Sequence, residues 1–201
     1  MPVVAVLDYG ASNNMSMTSA LRKAGLDVLT TSDPGPIEDV DAVVIPGVGH
    51  FTQASQRLRS LQGVLKSIIQ SGRPVLGVCL GMQILFESSE ESTEPGLGVL
   101  RGHCIKIRGV PKTPHMGWNS ISIVGDTPLL EGVEDGAFVY FVHSYHVSPL
   151  DMDVISAVTH YGSDIVSVIR SGDIHGTQFH PEKSGPVGKT ILRNFYRIVR
   201  G

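Results

Sequence analysis

What first limits the fold of this chain is the alternation of its apolar runs. In the first half, "VVAVLD", "DVLTT", "DAVVIP" and "PVLGV" are short, rich in β-branched residues and bounded by turn formers, which marks buried strands. Helical patterning separates them: residues 14 to 24 read as one helix, and an amphipathic stretch after the third run reads as a long helix to about Ser71. "LGMQILFES" follows the fourth run as a short helix. Strands and helices in strict alternation imply a parallel sheet with helices on both faces, because each parallel connection needs a crossover.

The second half changes rhythm. "GVLRGHCIKI", "SISIV", "AFVYFVHSYHV", "DVISAVTHY", "DIVSVIRS" and "IHGTQFH" read as strands joined by turns, expected as antiparallel additions to the sheet, while "PHMGWN" reads as an unusual loop. A last helix, about Val187 to Val199, is announced by "SGP". With no internal repeat, low-complexity tract or linker, residues 1–201 read as one domain with a sizeable core.

Composition narrows the class. Charged residues make up 17% and the formal net charge is −3, so the chain has no general electrostatic footprint for nucleic acid or an anionic membrane. No apolar run spans a bilayer, and "MPVVAVLDYG" reads as a first strand rather than a signal peptide. With Cys79 and Cys104 as the only cysteines, a disulfide framework is not expected, and the reading is a reduced, cytoplasmic setting.

The chemistry gathers around "PVLGVCLGMQ". Its core has the form G-x-C-x-G, a nucleophile elbow with sulfur in place of the serine oxygen. A sharp strand-to-helix turn lifts Sγ of Cys79 to the carboxyl edge of the sheet. Gly77 and Gly81 remove clashes, and the N–H of Leu80 points where an oxyanion would form. Taken alone, the motif serves equally well for a buried, inert cysteine. Cys104, inside an apparent strand with no glycine frame, reads as inert.

A nucleophilic thiol needs a base, and the base an orienter. Of eight histidines, His180 alone ends a strand with a carboxylate close behind, in "GTQFHPEKSGP". Pro181 stops the ladder, so His180 and Glu182 can turn toward one another in a Cys79–His180–Glu182 triad. "HPE" alone also reads as a surface turn, and a zinc site on the same three residues is a lesser option; no metal or cofactor is expected. "PGVG" lies on the same sheet edge as Cys79, and its flexible glycines, Gly47 and Gly49, allow a backbone anion hole or a tight turn into the next helix. His143, Trp118 and Tyr140 read as packing residues on pattern alone.

Together, "PGVG", "GVCLGMQ", "PHMGWN", "YFVHSY" and "TQFHPEKSG" resemble class I (triad-type) glutamine amidotransferases, from the "LDYG" start to the last helix. Within them the chain is similar to the glutaminase subunits of imidazole glycerol phosphate synthase, of histidine biosynthesis. The resemblance implies a flavodoxin-like sheet in a single amidotransferase domain over residues 1–201. It implies that Cys79 attacks the side-chain amide of L-glutamine and forms a thioester, with His180 as acid and base and Glu182 orienting it. It implies oxyanion donors at Val48, Gly49 and Leu80, completed by a peptide flip in "PGVG", and glutamine contacts at Gly47, Gly49, Gln83, His143, Ser144 and Tyr145. It implies a (β/α)8-barrel cyclase partner that receives the ammonia and makes imidazole glycerol phosphate and an aminoimidazole carboxamide ribotide. Asn13, Trp118, Asn119, Tyr140 and Lys183 would face or signal to that partner. One departure is local: where the family reads "DYG-x-GN" and an aliphatic residue, this chain has Ser12 and Asn14.

Rival readings are a pyridoxal phosphate synthase glutaminase, whose "PGGES" loop this chain lacks, and a paralogue serving a sugar pathway. A silent amidotransferase-like scaffold and a thiol hydrolase on a similar sheet complete the set. The intact triad argues against the scaffold and the "HPE" turn against the hydrolase.

Overall fold

The structure is a computed structural model and describes residues 1–10, 14–110 and 112–201. Ser12 and Asn13 therefore lie outside the described residues. The parallel half has β1 (Val3–Leu7), α1 (Asn14–Ala24), β2 (Asp27–Thr31), α2 (Pro34–Ile37), β3 (Ala42–Ile45), α3 (Phe51–Leu58), α4 (Gln62–Gln70), β4 (Val75–Val78) and α5 (Leu80–Gln83). The second half has β5 (Ser88–Ser89), β6 (Gly102–Lys106), β7 (His115–Ser120), β8 (Ser122–Ile123), β9 (Phe138–His143), β10 (Tyr145–Pro149), β11 (Ile155–Tyr161), β12 (Ser163–Ser171), β13 (Ile174–Thr177) and α6 (Gly185–Arg200).

The main sheet is eight-stranded, in the order β2-β1-β3-β4-β13-β12-β11-β8. Strands β2, β1, β3, β4 and β13 run parallel, and β12, β11 and β8 add antiparallel pairs. Strands β3 and β4 are buried on both faces, which explains their unbroken apolar runs. Two apolar layers cover the sheet. Leu58, Leu65, Ile68 and Phe86 belong to one, and Met17, Leu21, Leu192 and Phe195 to the other. In α6 the spacing of Ile191, Leu192 and Phe195 turns one stripe onto the sheet, and Arg197 and Arg200 occupy the last turn, where the helix dipole favours cations.

Several expectations need correction. The long helix to Ser71 is broken by a 3₁₀ turn at Arg59–Leu61, which shifts register so that Leu58, Leu61 and Leu65 all reach the core. The helix after Cys79 stops at Gln83, because the carbonyls of Ile84, Leu85 and Phe86 are taken by amides of residues 97 to 100. "PHMGWN" is strand β7, not a loop; it lacks β-branched residues and is held by pairing with β9. "FVYFVHSYHV" is two strands, since the chain turns at Ser144 and leaves β9 and β10 in different sheets. Strand β9 pairs β7 alone, and β10 joins β6 and β5, so these five are not additions to the main sheet.

Candidate active site

Strand β4 ends at the point where the elbow was expected. Among the described residues Cys79 is the one non-glycine with positive φ, at 54°. That conformation costs on the order of 1–3 kcal/mol for a side-chain-bearing residue and persists only where the surroundings enforce it. Here the Cys79 amide donates to the Thr177 carbonyl at 2.7 Å, and its carbonyl accepts from Met82 and Gln83 at 3.0 and 3.1 Å. The glycine frame is steric. A Cβ on Gly77 would lie 2.6 Å from the Gly81 carbonyl oxygen, and one on Gly81 would lie 1.7 Å from that of Ile45. Nothing larger fits between elbow and β3. Cys104 is fully buried, and burial pushes its thiol well above the ordinary range, as an inert cysteine requires.

His180 arrives from β13. That strand ends at Thr177, three residues earlier than expected, but the chain stays extended: Gln178 donates its amide to Ser167 at 2.9 Å and His180 donates its own to Tyr140 at 2.9 Å. Pro181 then opens the 3₁₀ turn Pro181–Lys183, which folds Glu182 back so that its Oε1 lies 2.8 Å from Nδ1 of His180. Both side chains are 1% exposed. Burial is the largest single influence on His180 and lowers its pKa, but Cys79 and Glu182 together outweigh it and raise it to about 9. Nε2 meets no partner at strict hydrogen-bond geometry among the described residues, yet Cys79 is near enough that hydrogen bonding and charge both contribute to raising the imidazole. Bonds of this kind tighten when a substrate is bound. The geometry thus leaves Nε2 for the thiol and gives Nδ1 to the carboxylate.

Beside the thiol is a cavity of about 210 Å³ lined by Val48, Gly49, Cys79, Leu80 and Gln83 from the parallel half, and by Val142, His143, Ser144 and Tyr145 from the β9–β10 turn. Among the described residues the amides of Val48, Gly49 and Leu80 donate no hydrogen bond, so three N–H groups border the cavity without partners. Gly47 is absent from the lining. It sits under the elbow, where a Cβ would meet the Gly81 nitrogen at 2.5 Å, and the loop is anchored by a Tyr9 hydroxyl bond to the Pro46 carbonyl. Gln83 donates through Nε2 to the Tyr145 carbonyl at 2.8 Å and to Oε1 of Gln178 at 3.0 Å. His143 lies between the Tyr145 carbonyl and His115, and burial lowers it to about 3.

Two residues at the site had no sequence signal. Among the described residues Glu91 supplies the one carboxylate on the cavity wall, positioned by the Phe51 amide at 2.8 Å, and Gln178 places Nε2 3.5 Å from the sulfur of Cys79. Glu91 lies in a polar loop without periodicity, and Gln178 reads as one more residue of a strand end. Among the described residues no three His, Cys, Asp or Glu side chains converge to hold a metal ion.

Of the residues expected toward a partner, Trp118 and Tyr140 share one face. Register pairs Trp118 with Tyr140, Met116 with Val142 and Ser120 with Phe138. Trp118, Met116 and Phe138 are 55%, 57% and 59% exposed, so the outer face of β7 and β9 is an uncovered apolar stripe. Trp118 stands edge-on to Tyr140 with centroids 6.0 Å apart, and Lys183 is exposed next to Glu182. Asn119 points the other way, donating to the His160 carbonyl at 3.1 Å. Asn14 donates to Asp8 at 2.9 Å.

The sequence matches the family model for class-I glutamine amidotransferases over residues 5–199. It is 49% identical to the imidazole glycerol phosphate synthase subunit HisH of Methanothermobacter thermautotrophicus, over 98% of this chain and 100% of that one. It is 43% identical to the subunit of the same name from Methanocaldococcus jannaschii, with coverage of 98% and 100%. A crystal structure of a glutamine amidotransferase superimposes with TM-score 0.78 at 19% identity, over 98% of this chain and 99% of that one. Another, from Thermotoga maritima, gives 0.76 at 16% identity, over 100% and 99%. These structural likenesses bear on the fold alone.

Proposed function

The chain belongs to the class-I glutamine amidotransferases, among the HisH subunits of imidazole glycerol phosphate synthase, and from that membership we propose how its site works. It is the glutaminase subunit of that synthase, in histidine biosynthesis. In our reading all of residues 1–201 form one amidotransferase domain, supported by the family match over 5–199. No helix among the described residues is long and apolar enough to cross a membrane, and we read the protein as cytoplasmic.

L-Glutamine enters the cavity with its side-chain carbonyl carbon against Sγ of Cys79. Glu91 is the carboxylate on the wall that would pair with the substrate ammonium. The thiol proton passes to His180 before sulfur attacks, and Glu182 holds the resulting imidazolium through Nδ1. The carbonyl oxygen, now negative, lies among the amides of Val48, Gly49 and Leu80. His180 returns its proton to the leaving nitrogen, so ammonia departs and a glutamyl thioester remains. Water, deprotonated by His180, then releases glutamate. A group raised to about 9 holds its proton at neutral pH and is suited to protonating a departing amine.

The partner cyclase docks on the exposed stripe of Met116, Trp118, Phe138 and Tyr140, with Lys183 at its edge. Strand β9 supports this placement, because its outer face is the stripe while the Val142 carbonyl lies 3.8 Å from the sulfur. Ammonia formed at Cys79 then has one strand between it and the cyclase. The observation that carries the reading is the elbow cysteine, beside a buried histidine–glutamate pair, on the wall of a cavity bordered by three amides that donate no hydrogen bond among the described residues. The test is glutamate release by the chain alone, with the cyclase barrel, and with barrel plus nucleotide ligand. Activity rising steeply in the last condition is expected. No release in any condition, with Cys79 reduced, would refute the reading.

A further inference from the structure

Gln178 has no part in the triad, yet its side chain is fully buried against the nucleophile. The direction of its amide follows from a backbone carbonyl. The Tyr145 carbonyl can only accept, so the atom of Gln83 that faces it at 2.8 Å is the Nε2 donor. The same Nε2 lies 3.0 Å from the Gln178 side chain, so the atom there is Oε1. The other end of the Gln178 amide is therefore Nε2, and it faces Sγ of Cys79 at 3.5 Å with an N–H to donate.

The anchoring carbonyl is itself shared. His143 donates to it from Nδ1 at 2.8 Å and, being neutral, accepts at Nε2 from Nδ1–H of His115 at 3.0 Å. His115 in turn accepts from Asn119 at 3.2 Å. A chain of buried and part-buried hydrogen bonds thus runs from β7 to the sulfur, with one consistent set of tautomers.

We propose that Gln178 positions the nucleophile: its Nε2–H donates to Cys79 Sγ, orients the sulfur and stabilises the negative charge it acquires when His180 takes the proton. The proposal rests on Cys79 being the nucleophile of the reading above. Thiol sulfurs accept weakly, but a donor to an anionic acceptor makes a bond roughly twice as strong as a neutral one, so the bond strengthens as the sulfur becomes charged.

The test is the rate of Cys79 alkylation by iodoacetamide at neutral pH, with the modified peptide identified by mass spectrometry, alongside kcat and KM for glutamine with the cyclase bound. Gln178→Glu keeps the oxygen that Gln83 needs and removes the donor. Gln178→Met is similar in length and uncharged, and carries the test if the buried carboxylate unfolds the chain. Loss of a charge-assisted bond is expected to slow alkylation about tenfold or more. kcat should fall by a similar factor, with KM within about threefold, a split that a general loosening of the site would not produce. Alkylation does not require glutamine to be the substrate. Slowed alkylation in a chain with no glutaminase activity would uphold this inference while the function fails. Alkylation and kcat both within twofold of the unaltered chain in the folded Met variant would overturn it.

Discussion

Gly81→Ala is the sharpest test of how the elbow is held. The added Cβ would sit 1.7 Å from the Ile45 carbonyl oxygen and 2.6 Å from its carbon. A carbon–oxygen contact needs about 3.3 Å, so elbow and β3 must separate by about 1.6 Å. Overpacking usually costs 1–3 kcal/mol when side chains can shift. Here the obstacle is backbone, and β3 is locked by hydrogen bonds to β1 and β4 on either side. The cost should reach about 3 kcal/mol or more. Any relief must move the elbow, and an error of about 1 Å at a nucleophile costs about a hundredfold in rate. The control is Gly63→Ala, the same chemical change inside α4 with nothing within 4 Å of the new Cβ. It should stabilise by about 0.4–1 kcal/mol. Urea-unfolding midpoints and glutamate release with the cyclase bound measure both effects. A Gly81→Ala chain with an unchanged midpoint and full activity would refute the packing argument.

Other outcomes are equally direct. Cys79→Ala should abolish glutamate release and leave the circular dichroism spectrum and cyclase binding unchanged. Activity should decline as pH rises through about 9, where His180 loses the proton it gives to ammonia. Glu182 helps hold that proton, so Glu182→Gln should lower kcat and move the alkaline limb of the pH–rate profile to lower pH. Trp118→Ala should weaken cyclase binding, read by titration calorimetry, with a smaller effect on stability because the ring is 55% exposed. His143, neutral in the fold and lowered to about 3, takes up a proton on unfolding below about pH 6.5. Its contribution should therefore make stability fall by about 1.4 kcal/mol per pH unit between 6.5 and 3, and His143→Phe should flatten that slope in urea titrations.

The parts of this protein legible in its sequence are those governed by neighbours along the chain. Strands β1 to β4 stand out because burial on both faces demands unbroken apolar runs. The elbow and the "HPE" turn stand out because a strained cysteine needs glycines beside it and a carboxylate two residues from a histidine needs a proline to turn it back. Tertiary structure decided what depends on distant partners. Strand β7 exists through pairing with β9, and α5 ends early because residues 97 to 100 claim the next carbonyls. Gln178 reaches a sulfur 99 positions away in the chain, and Glu91 comes to the cavity from a loop with no pattern of its own. A local motif records the strain at its own backbone, whereas the direction of a buried amide is set only when the carbonyl that orients it has been brought alongside.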